Sequence, residues 1–170
     1  MTHCQNRLRR QSGATRLEVV VVAIIFSLLA GWLLHTMRFY QELTEKTVVE
    51  NSILNLRSGL RFRVADLIIR GEAEKQATLA RTNPVLLAER PPAGYFGEVR
   101  GPGNLPPGSW YYEQDRAELV YIPKLHSHLL VTDSRQPESP VLRWQIRSGG
   151  GGGGAGVAVD IELLTPYDWF

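Results

Sequence analysis

The sequence has few of the residue types on which most enzyme sites and disulfide-stabilised domains depend. It contains one cysteine, Cys4, so no disulfide can form within the chain. No nucleophile-elbow motif and no Ser-His-Asp order stands out, and we therefore expect no catalytic activity. The formal net charge is only +2, which argues against binding nucleic acid through bulk phosphate attraction. A structural or binding role fits these absences best.

Charge is distributed unevenly along the chain. Residues 1–13 contain three arginines and no acidic residue, and removing their three positive charges from the total of +2 leaves −1 for the rest. Residues 19–34 carry no charge, and with residues 35–37 the apolar run approaches the roughly 20 residues that span a bilayer as a helix. Arginines before the run and acidic residues such as Glu42 after it predict a cytoplasmic N-terminus. The C-terminal part would then lie in the periplasm.

Several kinds of targeting segment share a basic start and an apolar run. A cleaved secretory signal would need small residues upstream of a site near Ala30, where Leu28 and Leu29 stand instead. A lipoprotein signal would need cysteine at the position of Trp32. A plain signal anchor needs only the apolar run and stays open as an alternative.

One carboxylate, Glu18, lies at the start of the apolar run. A charge costs up to about 3 kcal/mol at the centre of a membrane helix and less near its end, so such a residue is usually functional or interfacial. The helix dipole favours a carboxylate in the first turn by about 0.3–1 kcal/mol. If the chain is cut after Gly13, the new amine of Ala14 can pair with its own or a neighbour's Glu18, and a membrane strengthens that pair.

The stretch Gly13-Ala14-Thr15-Arg16-Leu17-Glu18, followed by VVVVAIIFSLL, resembles the class III signal of type IV pilins and type II secretion pseudopilins. Members of that family have a basic leader ending in glycine, glutamate at mature position five and a long apolar helix. The resemblance implies that prepilin peptidase cuts between Gly13 and Ala14, and that Ala14 is N-methylated. It also implies that Glu18 meets the N-terminal amine of an adjacent subunit. The implied partners are the inner membrane, the peptidase and other pilin or pseudopilin subunits, with no nucleic acid.

Three positions depart from the family's usual pattern. Ala14 stands where phenylalanine is usual, Arg16 where an apolar residue is preferred, and His35 where a helix-kinking proline is common. These departures favour a minor pilin or pseudopilin over the main subunit of a fibre, while Glu18 argues against the tip-initiating pseudopilin type. The alternatives are a minor pilin with a ligand-binding or DNA-binding tip and a plain signal-anchored periplasmic protein. A membrane-anchored enzyme is disfavoured because no site is evident.

The apolar pattern predicts one long helix. No proline occurs in residues 14–83, and apolar residues recur at steps of three and four from Val49 to Ile68. We expect the helix to run from about Ala14 to Gly71 and to fray towards Ala80. The expected divisions of the chain are a leader at 1–13, a membrane and assembly segment at 14–38, an amphipathic segment at 39–83, an irregular connector at 84–108 and a sheet domain at 109–170.

The C-terminal part predicts β-structure. Six prolines mark residues 84–108 as irregular, and alternating apolar residues follow. We expect an antiparallel sheet of four or five strands, with strands at 110–113, 118–122, 129–132, 141–147 and 157–163. The glycine run 149–154 predicts a flexible hairpin tip between the last two strands. The fold class is therefore α+β, a long N-terminal helix packed on a C-terminal sheet, as in pilins.

Other residues with chemical potential have simpler interpretations. His126 and His128 have the spacing of a metal site, with Asp133 nearby, but two surface histidines are the simpler interpretation. Asp160 and Asp168 lack the surrounding oxygen ligands of a calcium site. We predict no metal, no cofactor and no catalytic residue. Trp110, Tyr111, Tyr112 and Trp144 are assigned to the core and to cross-strand contacts, and the aromatic tail at residues 167–170 is expected to pack back on the sheet.

Overall fold

The computed structural model describes residues 15–101, 105–131, 140–150 and 157–170. The chain divides into two units, Met1–Tyr40 and Gln41–Phe170. Helix α1 covers Arg16–Ile69, and two short 3-10 helices follow at Ala73–Arg81 and Pro84–Leu87. The strands are β1 Tyr95–Val99, β2 Ser109–Glu113, β3 Glu118–Ile122, β4 Leu129–Val131, β5 Leu142–Gly150, β6 Val157–Leu163 and β7 Tyr167–Trp169.

Helix α1 ends in a Schellman motif, close to the predicted end at Gly71. Gly71 adopts a φ of 72°, and its N–H donates to the carbonyl oxygen of Ile68 at 3.0 Å. The N–H of Glu72 donates to the carbonyl oxygen of Leu67 at 2.9 Å. Glycine reaches this left-handed conformation without steric cost, so the sequence stops the helix here. The residues expected to fray towards Ala80 form a 3-10 helix.

Five strands form a sheet in the order β1-β2-β3-β5-β6, and β4 pairs with β7 in a separate two-stranded sheet. The predicted hairpin of β2 and β3 and the predicted pair of β5 and β6 are both antiparallel. Strand β1, however, runs parallel to β2, so the sheet is mixed and the expectation of an antiparallel sheet is corrected. Strand β1 also lies inside the segment predicted to be irregular. Gly97, with a φ of 104°, falls where its register shifts.

The glycine run begins inside a strand. Gly149 and Gly150 belong to β5, where they pair with Ala158 and Val157 of β6. The rest of the run lies outside the described residues. The predicted hairpin connection is therefore confirmed on both flanks of its tip.

The predicted α+β fold class is confirmed: the second half of α1 packs its apolar stripe on one face of the five-stranded sheet. Five stripe residues are buried: Val49, Ile53, Leu56, Leu60 and Leu67. They share a core with the three rings of Trp110, Tyr121 and Trp144, in which the Trp110 centroid lies 4.6 Å from Tyr121 and 5.4 Å from Trp144. The four aromatic residues assigned to the core or to cross-strand contacts are therefore all buried. Of the aromatic tail, Trp169 is buried, whereas Phe170 is 43% exposed.

The opposite face of the sheet is also buried, around a charged group. Arg143 of β5 donates from Nη1 to Oε2 of Glu113 at 2.9 Å and to Oε2 of Glu118 at 3.0 Å. All three residues are buried. Burial lowers the pKa of Arg143, but the bonds to Glu113 and Glu118 raise it more, so the guanidinium stays charged. Tyr111, Val120 and Val141 pack on this same side.

Candidate assembly site

The N-terminal end of α1 carries Glu18, the residue for which the resemblance to pilins implies a role in assembly. Glu18 lies in the first turn of the helix and is exposed. Its backbone N–H donates to Oγ1 of Thr15 at 3.3 Å. The residues Thr15-Arg16-Leu17-Glu18 thus have the spacing of a capping box, a signal that the sequence analysis missed. Gly13 and Ala14, the predicted processing residues, lie outside the described residues.

The first half of α1 exposes its apolar side chains. The helix is long and apolar enough to cross a membrane, and none of its most apolar window is buried. Its hydroxyl groups bond to the helix itself: Ser27 Oγ donates to the carbonyl oxygen of Ala23 at 2.8 Å, and Thr36 Oγ1 to that of Trp32 at 3.0 Å. Because both hydroxyls are satisfied internally, this segment suits a hydrocarbon environment.

The second half of α1 also has a row of exposed, uncharged residues, which we call the outer stripe. Its members recur at steps of four, four and three residues: Leu43, Thr47, Asn51, Leu54, Ser58, Phe62, Ala65 and Ile69. This 11-residue repeat stays close to the 3.6-residue period of a straight helix. Phe62 is 79% exposed and Ile69 is 85% exposed. Such a face is typical of a surface that packs against another helix.

A groove of about 820 Å³ lies beside the outer stripe. Ser58, Gly59 and Phe62 of α1 form one side of it, and residues 87–90 form the other. Gly59 permits this close approach: a Cβ added there would lie 2.5 Å from the carbonyl oxygen of Leu87. The position of the segment after the second 3-10 helix therefore depends on a glycine in the middle of α1.

Two carboxylates of α1 bind backbone N–H groups of the connection from β3 to β4. Glu45 accepts from Lys124 N at 2.6 Å and Leu125 N at 3.1 Å, and from the Tyr121 hydroxyl at 2.7 Å. Glu42 accepts from His128 N at 2.8 Å. Burial raises the pKa of Tyr121, and the bond to Glu45 raises it further. The segment of α1 after Tyr40 is thus bonded to the connection from β3 to β4 by charge-assisted hydrogen bonds.

The role of Glu42 was not predicted, although the position of Glu42 in the sequence indicates that it is buried. Glu42 lies seven residues, two helical turns, before Val49 and is therefore in phase with the buried stripe. A carboxylate in phase with an apolar stripe must find donors when it is buried. Its donors come from residues more than 80 positions away, and no local pattern identifies them.

Two of the residues considered as metal ligands have other partners in the structure. His128 Nδ1 lies 2.9 Å from Oε2 of Glu42, and Asp160 accepts a hydrogen bond from Ile161 N at 2.8 Å. Asp133 lies outside the described residues. Within the part of the chain that the structure describes, no group of three His, Cys, Asp or Glu side chains is arranged to hold a metal ion.

Comparisons with known proteins complete this description. No protein-family model matches the chain, and neither the curated proteins nor the solved structures gave a match.

Proposed function

We propose that this protein is a structural subunit of the pilin type, a minor pilin or pseudopilin, that assembles through α1 into a type IV pilus or a type II secretion pseudopilus. In this proposal prepilin peptidase removes residues 1–13 at the inner membrane, with the N-terminus cytoplasmic and the sheet domain periplasmic. The protein acts by assembly and carries out no catalysis of its own.

Glu18 carries the proposal. It is the only charged residue between Arg16 and Arg38, and it lies in the first turn of an exposed apolar helix. A charge in that position needs a partner inside a membrane, and the amine created by cleavage before Ala14 is a partner of the right sign. The uncharged outer stripe adds support, because it offers a second helix-packing surface further along α1.

The alternative is a plain signal-anchored periplasmic protein. The hydrogen bond from Glu18 N–H to Thr15 Oγ1 favours this alternative. Residues that cap the start of a helix act within one chain, so they need no partner subunit. The two functions differ in what happens to the N-terminus and in what the charge of Glu18 does.

The position of the mature N-terminus separates the two functions first. We expect the full chain, extracted from membranes that contain prepilin peptidase, to begin at Ala14 with one added methyl group. The matched control is Gly13→Leu, which should keep the leader because the residue before the cut is no longer glycine. A wild-type chain that still begins at Met1, or that begins near Trp32, would contradict the proposal.

A second test, of the charge of Glu18, also separates the two functions. Glu18→Gln keeps a capping residue at the third helical position but removes the charge. We expect it to be cleaved and inserted normally and to enter sheared filaments or cross-linked complexes about tenfold to hundredfold less, the loss expected for one charge-assisted bond. Thr15→Ala removes the cap and keeps the charge, so it should assemble. Normal assembly of Glu18→Gln, or equal loss in Thr15→Ala, would refute the pairing role.

A further inference from the structure

The small sheet formed by β4 and β7, which we call the tail sheet, is joined to the rest of the protein by side-chain contacts: Leu129 and Trp169 belong to the main core, and Lys46 of α1 donates to the carbonyl oxygen of Trp169. It contains three residue pairs, Leu129 with Trp169, Leu130 with Asp168 and Val131 with Tyr167. It is not hydrogen-bonded into the five-stranded sheet. Two short strands alone are marginally stable at best in water. The position of the tail sheet therefore depends on its contacts with other elements.

The carboxylate of Glu42 in α1 contacts β7 and the residue just before β4. Oε1 of Glu42 accepts from His128 N, next to β4, at 2.8 Å and from Trp169 Nε1, in β7, at 3.2 Å. Oε2 of Glu42 lies 2.9 Å from His128 Nδ1. The side chain of Glu42 is 3% exposed, and Trp169 is 2% exposed. One buried group thus joins the helix to the start of β4 and to β7.

Of the charged or titratable groups near Glu42, His128 contacts it directly, and the others bond elsewhere or face away. His128 is the titratable group in direct contact with the carboxylate, and its side chain is 48% exposed. Lys46, one turn along α1, donates to the carbonyl oxygen of Trp169 at 2.7 Å. Glu45 bonds to the backbone before His126. Asp168 alternates with Trp169 along β7 and so faces away from the helix.

We propose that Glu42 is an acid-sensitive latch whose protonation releases the tail sheet, with the core residues Leu129 and Trp169, from α1, while the strands of the five-stranded sheet stay paired. Protonation at Oε2 removes the acceptor that faces His128 Nδ1, and it removes the negative charge that strengthens the two bonds to Oε1 from His128 N and Trp169 Nε1. The release depends on Glu42, because its carboxylate is the group that all three contacts share. This inference goes beyond the proposed function and does not rest on it.

The direction of the pH effect follows from the hydrogen bonds. Burial raises the pKa of Glu42, but bonds from the backbone and side chain of His128 and from Trp169 outweigh it, and the pKa is lowered below its ordinary value of 4.5. A carboxyl whose pKa is lowered by folding stabilises the folded form above that ordinary value. The stabilisation is lost as the pH falls through the lowered pKa, so the latch opens on acidification.

Hydrogen exchange of the full chain in detergent micelles tests the latch. Protection factors are corrected for the pH dependence of intrinsic exchange, and peptides from the tail sheet are compared with peptides from β2 and β3. At pH 7 we expect Glu42→Gln to lower the protection of the tail sheet by about tenfold to hundredfold and to leave β2 and β3 unchanged. The matched control is Glu45→Gln, in which Glu42 keeps its three bonds.

A pH titration of the wild-type chain and of the same two variants tests the same idea. Protection of the tail sheet should fall below about pH 4.5 in the wild type and in Glu45→Gln, and should be independent of pH in Glu42→Gln. The proposal is overturned if wild-type protection of the tail sheet does not change with pH. It is equally overturned if β2 and β3 lose protection together with the tail sheet, because that would be global unfolding.

Discussion

Replacing Arg143 with alanine is expected to lower the free energy of unfolding by about 3–5 kcal/mol. Arg143 is buried and bonds to Glu113 and Glu118, which are also buried. Removing it leaves both carboxylates without the guanidinium that they share. The remaining cation near Glu113 is Arg116, whose Nε lies 3.6 Å away on a side chain that is half exposed. Such a distant, solvated charge cannot replace two direct bonds.

Denaturant unfolding of the full chain in micelles, followed by tryptophan fluorescence, measures this loss. The matched control is Arg147→Ala on the same strand, because Arg147 pairs with Glu162 at 3.2 Å with both side chains more than half exposed. Exposed ion pairs contribute about 0–1 kcal/mol, so this control should change little. If Arg143→Ala loses no more stability than Arg147→Ala, the buried triad contributes nothing special to the fold.

The elements that could be predicted from the sequence are those with a strong local period. The stripe from Val49 to Leu67 identified the amphipathic helix, and the aromatic and aliphatic residues of β2 and β3 on either side of a polar turn identified their hairpin. Strand β1 was missed because prolines surround it and Gly97 interrupts its pattern. Its parallel pairing with β2 depends on the path of the intervening loop, and no local period reports that path.

The features that could not be predicted from the sequence depend on contacts between residues far apart in the chain. The end of the chain was expected to pack back on the sheet, and Trp169 is buried, but β7 pairs with β4 instead of joining the main sheet. The buried triad combines Arg143 with carboxylates from another hairpin, and in the sequence all three look like ordinary surface charges. Glu18 could be found because its signal is local: an isolated charge beside an uncharged run.

Gly59→Ala is expected to destabilise the protein by about 1–3 kcal/mol, although alanine is the better helix former. In an open helix position the same change would stabilise by about 1 kcal/mol. Here the added Cβ would lie 2.5 Å from the carbonyl oxygen of Leu87, 2.9 Å from its carbonyl carbon and 3.0 Å from Cα of Ala88. All three are backbone atoms, so no side-chain rotation relieves the clash. Either α1 or residues 87–88 must move.

Ser58→Ala is the matched control for Gly59→Ala. Ser58 is exposed on the neighbouring position of α1, and its hydroxyl donates to the carbonyl oxygen of Leu54 in the same helix. Its change should leave stability within about 0.5 kcal/mol of the wild type. The same unfolding measurement compares the two variants. Because Gly59 lines the groove beside the outer stripe, a segment displaced by Gly59→Ala would also alter this surface.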